Sequence, residues 1–128
     1  MYRIVKMIFV NCFLMVAVVG CGRDHIITFD IENSSGKDVS TLSLTITNSI
    51  NSQKLSVGQL ARNESRSVKW DVDGLIETDG GFEVEVYFTE EDSLKRGFGY
   101  FSNGYHYTRH YAITIMDTII IWDEIRTE

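Results

Sequence analysis

The chain has 128 residues, 44% of them hydrophobic and 12% aromatic, with 18 carboxylates against 12 lysines and arginines. That length and apolar share suit one domain around a single core rather than two domains. A net charge of −6 without a basic cluster argues against nucleic acid as a partner, because displacing phosphate counterions needs concentrated Lys and Arg.

The first 20 residues read as an export signal. Arg3 and Lys6 precede an apolar run from Met7 to Val19 broken only by Asn11, and the small residue Gly20 follows. At about 1.5 Å per residue the run covers about 20 Å of a hydrocarbon core of about 30 Å, too little for a plain membrane anchor. The final four residues, Val18-Val19-Gly20-Cys21, resemble the lipobox of bacterial lipoproteins. The resemblance implies cleavage before Cys21, lipidation of Cys21 and attachment to the membrane through its acyl chains. With Gly22 rather than aspartate next, it also implies an outer-membrane address in a cell with two membranes. Arg3 and Lys6 leave with the leader, so 12 cations become 10 against 18 carboxylates and the exported part carries −8. Cys12 is discarded and Cys21 consumed, so no disulfide is expected. Residues 21–25 form a tether, and the four after the cysteine span at most about 14 Å.

From residue 26 to 128 the periodicity is that of strands. Ile27, Phe29 and Ile31 alternate with Thr28, Asp30 and Glu32, and Leu42, Leu44 and Ile46 alternate with Ser43, Thr45 and Thr47. Asn33 to Asp38 is turn chemistry between them. Asn48 to Lys54 is expected to break the second strand, and Leu55 to Leu60 is a short third. Val68, Trp70 and Val72 alternate through a fourth, while Phe82, Val84, Val86 and Phe88 form the clearest alternation in the chain. Gly58-Gln59-Leu60 followed by Glu64-Ser65 resembles an interstrand connection of small immunoglobulin-like envelope domains.

Asn103-Gly104 lies between the apolar runs Leu94 to Phe101 and Tyr105 to Met116, and Asn-Gly there predicts a hairpin with a type I′ turn. Ile119 to Ile125 is the last strand. Its turn at Asp117-Thr118 is less clear-cut, since β-branched Thr118 resists positive φ. No helical spacing persists after the leader. The expectation is therefore an all-β, two-sheet antiparallel, immunoglobulin-like sandwich of about seven to eight strands, with a small barrel as the alternative.

Phe98 to Tyr111 holds four of the six tyrosines. With Asn103-Gly104 as a two-residue turn, continuous pairing sets Ser102 opposite Tyr105, Phe101 opposite His106, Tyr100 opposite Tyr107 and Phe98 opposite Arg109. Phe98, Tyr100, Tyr105 and Tyr107 then share one face, and Phe101 and His106 the other. Cross-strand aromatic pairs hold hairpins together, but tyrosines at a tip also offer stiff, amphipathic contact area for a partner. Phe98, Tyr100, Tyr105, Tyr107 and His106 are the candidate binding residues.

Chemistry has less support. His106 and His110 stand roughly 13 Å apart along a strand, too far to chelate one ion. Asp71, Asp73, Glu77 and Asp79 are close enough in sequence for a surface calcium site, but they depart from the EF-hand pattern. Glu83 and Glu85 are a carboxylate pair that strand alternation alone produces, and no nucleophile elbow, phosphate loop or metalloprotease motif occurs. The expected activity is binding without cofactor or catalysis. The partner would be an envelope protein in a structural or assembly role, a toxic enzyme met by an immunity-type inhibitor, or a glycan.

Overall fold

The computed structural model describes residues 25–48 and 52–126. The leader, Cys21 and tether positions 22–24 lie outside the described residues. Nine strands follow in order: β1 Ile26–Asn33, β2 Val39–Asn48, β3 Ser52–Leu60, β4 Ser65–Asp71, β5 Gly80–Tyr87, β6 Ser93–Ser102, β7 Tyr105–His106, β8 His110–Ile115 and β9 Ile120–Glu124. They form two sheets, ordered β4-β1-β8-β9 and β3-β2-β5-β6-β7, packed face to face as an all-β sandwich.

The alternation seen in the sequence becomes the core. Ile27, Phe29 and Ile31 from β1, Leu42, Leu44 and Ile46 from β2, and Phe82, Val84 and Val86 from β5 are all buried. Burial of this kind supplies roughly 1.5–3 kcal/mol per large apolar side chain. One half of the core is aromatic. Phe29 stacks on Tyr111 with centroids 5.8 Å apart and 13° between planes, and Phe82, Phe98 and Phe101 close around that pair.

Three features depart from the expected layout. The sandwich is not wholly antiparallel, because β1 runs antiparallel to β4 but parallel to β8, with Phe29 beside Tyr111 and Ile31 beside Ile113. The segment expected as one strand from Tyr105 to Met116 is two. After Ser102 pairs with Tyr105 and Phe101 with His106, the chain leaves that sheet, crosses at Tyr107-Thr108-Arg109 and re-enters the other sheet as β8. The expected pairs Tyr100 with Tyr107 and Phe98 with Arg109 are therefore not ladder pairs. β1 offers an open edge on which Tyr111, Ile113 and Ile115 can all be buried, and Arg109 O accepts from Thr28 N at 2.8 Å where the new ladder begins. Finally, β3 starts earlier than expected: Ser52, Gln53 and Lys54 pair with Thr47, Ile46 and Thr45. An edge strand takes its ladder from its neighbour's backbone, so polar side chains do not prevent it.

Turns follow the chemistry of their residues. Asn103 and Gly104 have φ of 49° and 79°, the two positive values of a type I′ turn. The β8–β9 hairpin closes at Asp117-Thr118 with neither residue at positive φ, so Thr118 is not strained.

Candidate functional site

The tip of the β6–β7 hairpin is positioned from two directions. Within β6, Gly99 has φ +67° and the register slips, so that Phe82 lies opposite Phe98 while Gly80 lies opposite Phe101. This β-bulge adds a residue and breaks the period of two. Phe98 and Phe101, three apart, both enter the core, while Tyr100 between them is sent outward. From the other side the loop after β4 braces the tip: Gly104 N donates to Ile76 O at 2.8 Å, and Ser102 Oγ donates to Asp79 Oδ1 at 2.6 Å. Val72 and Ile76 are buried and anchor that loop.

The expected binding residues separate into two groups. Tyr100, Tyr105 and Tyr107 are 52%, 59% and 62% exposed, whereas Phe98 and His106 are 5% and 9% exposed. Phe98 belongs to the core, not to the tyrosine face, because the bulge at Gly99 reversed its side. Its ring touches Phe29, Phe82, Tyr111 and Trp122. The tyrosines do meet, although without the expected ladder. Tyr100 stacks on Tyr107 with centroids 5.7 Å apart and 14° between planes, and Tyr105 meets Tyr107 edge-on at 5.1 Å and 76°. The three rings form an exposed ladder spanning β6, β7 and the crossover.

Beside that ladder lies a groove of about 980 Å³ between the hairpin tip, the crossover and one end of the four-stranded sheet. It is lined by Tyr105, His106, Tyr107, Arg109 and His110 from the hairpin, the crossover and the start of β8, by His25, Ile26, Thr28 and Lys69 from β1 and β4, and by Glu124, Ile125 and Arg126 from the end of β9. All three histidines of the chain are here. His110 Nε2 donates to Asp30 Oδ2, and His25 Nε2 lies 3.6 Å from Asp73 Oδ1. Hydrogen bonds from Ser67 and then His110 hold the Asp30 carboxyl below its usual range. Local sequence did not reveal the groove, since its walls come from four segments far apart in the chain.

On the outer face of the five-stranded sheet, Glu83 and Glu85 are engaged by neighbouring side chains. Tyr87 donates to Glu85 at 2.6 Å, Lys54 lies 3.6 Å from Glu85, and Lys95 lies 3.4 Å from Glu83. That face is a charge lattice on the outside of the five-stranded sheet. In the loop, Asp71 Oδ1 accepts from Asp73 N, and no three His, Cys, Asp or Glu side chains converge to hold a metal among the described residues.

Fold and site together describe a two-sheet sandwich presenting a braced aromatic hairpin over a groove. Comparison with known protein families, curated proteins and solved structures finds no match to this chain.

Proposed function

We propose that this chain is a bacterial envelope lipoprotein, tethered through Cys21, that acts by binding another protein in a structural or assembly role. The observation that carries the binding part is the ladder of Tyr100, Tyr107 and Tyr105, each more than half exposed on a hairpin held rigid by its bulge and by the Ile76 and Asp79 hydrogen bonds. Stiff, pre-organised aromatic surface gives contact area at low entropic cost.

The membrane part is supported by the leader, and its test is independent. Labelled palmitate should enter the wild-type protein and not Cys21→Ala; incorporation that survives the substitution removes the lipoprotein reading. For binding, the lipidated protein pulled from its own membranes should bring down a protein that Tyr105→Ala/Tyr107→Ala does not. An unchanged yield from that variant, folded by its near-normal melting curve, sinks the tyrosine surface. The glycan alternative rests on the same rings, and binding on a glycan array would favour it over a protein partner.

A further inference from the structure

The sequence contains one Asn-Gly pair, Asn103-Gly104, and the fold sets it at the tip of the β6–β7 hairpin. Asparagine followed by glycine loses its side-chain amide readily, because glycine has no side chain to shield the main-chain nitrogen that attacks it. Asn103 is exposed, and a carbon added at Gly104 would meet nothing within 4 Å, so packing covers neither residue. The attacking atom is held differently. Gly104 N donates to Ile76 O at 2.8 Å, and Ile76 and Val72 are buried, so the acceptor is fixed by the core. Ser102 Oγ donates to Asp79 Oδ1 at 2.6 Å, a second tie between the same loop and the tip. An amide nitrogen attacks only after giving up its proton. In the closed tip a carbonyl engages that proton, and the anion left by its removal would face the lone pairs of the Ile76 oxygen. The turn, with φ of 49° and 79°, also holds the main chain on both sides of that nitrogen in one conformation.

We infer that Asn103 is a site of spontaneous deamidation held shut by the loop 72–79, and that conversion there dismantles the tip that carries the tyrosines. Hydroxide takes the Gly104 N–H proton and the nitrogen attacks Asn103 Cγ. The new C–N bond closes a succinimide ring, and the side-chain nitrogen leaves as ammonia after accepting a proton from water. Water then opens the ring at either carbonyl, leaving aspartate or isoaspartate at position 103. Both products oppose the closed tip. Each adds a carboxylate beside Ser102, whose hydroxyl is bound to the Asp79 carboxylate, and like charges there repel. Isoaspartate also inserts a carbon into the main chain, which a two-residue turn pairing Ser102 with Tyr105 does not accommodate. The inference concerns the tip alone and stands whether or not the tyrosines meet a partner.

The test follows conversion at Asn103 by peptide mass spectrometry of the full chain, kept in detergent and mildly alkaline buffer, beside a synthetic peptide of residues 98–108. The peptide has no loop to engage Gly104 N and sets the intrinsic rate. The full chain should convert at least about tenfold more slowly, the factor given by an opening free energy of about 1.4 kcal/mol when only the open tip reacts. Asp79→Ala lies far from the pair in sequence, so it leaves the intrinsic chemistry alone while removing one tie, and conversion should quicken at least about threefold. A melting curve shows whether that variant is folded, and Ser102→Ala breaks the same tie from the other side if it is not. Conversion of the full chain at the peptide's rate overturns the lock. Wild-type rates in the folded variants overturn the loop as its source, and a peptide that stays unconverted overturns the site. Converted protein whose Gly104 and Tyr105 amides keep their wild-type protection in hydrogen exchange overturns the dismantling of the tip.

Discussion

Gly99 has a hydrogen where any other residue would place a carbon 2.7 Å from the Tyr111 hydroxyl and 3.0 Å from Phe82, and its φ of +67° is strained for an L side chain. Both terms oppose substitution, so Gly99→Ala should cost about 2–3 kcal/mol, read as a lower urea midpoint with an unchanged slope. Asn33 is the second residue on which much depends. Fully buried at the end of β1, its Nδ2 donates to the carbonyls of Lys37, Leu60 and Ala61, and its Oδ1 accepts from Ser35 N and Oγ. Asn33→Ala strands several of these groups, and about 2–4 kcal/mol should be lost in the same melts. In the sequence Asn33 is legible as a turn residue. Its role as a buried hub is not, because the carbonyls it serves come from a connection 27 and 28 positions away.

At the scale of elements, the hairpin at Asn103-Gly104 is the clearest case of local chemistry deciding structure, since both residues of the turn tolerate the positive φ that it requires. How far the hairpin extends was not decided locally. Beyond His106 the chain leaves β6 and pairs with β1, where Tyr111, Ile113 and Ile115 are buried. The same element separates the candidate residues in an experiment. Phe98→Ala should cost about 3–5 kcal/mol, as for other buried aromatics. Tyr105→Ala/Tyr107→Ala should move the melting temperature by only a few degrees, equivalent to about 1 kcal/mol or less. Comparable losses from both variants would return the tyrosines to a purely structural role.

At the scale of the molecule, stability against pH follows from the carboxylates that the fold has engaged. Tyr87's hydrogen bond, then Lys95 and Lys54, holds Glu85 below 4.5, and Ser67 and His110 hold Asp30 below 3.8. Carboxyl groups depressed in the folded state contribute stability that is present above their unfolded values and lost as pH falls through the folded ones. Lys95 and Tyr87 are raised, by Glu83 and Glu85 respectively, and their contribution is lost at the alkaline end. The melting temperature should therefore be level between about pH 5 and 9 and fall on the acid side below about pH 4. Glu85→Gln should shallow the acid limb, and an identical limb in that variant would count against the assignment. The sequence by itself determined the all-β class, nearly every core residue on β1, β2 and β5, and the Asn-Gly turn, because alternation and positive φ are properties of neighbouring residues. Only the tertiary structure decided the parallel pairing of β1 with β8, the burial of Phe98 and the groove with its cations and histidines. Those depend on which distant edges and faces meet, and on a one-residue bulge that reverses which side a ring occupies.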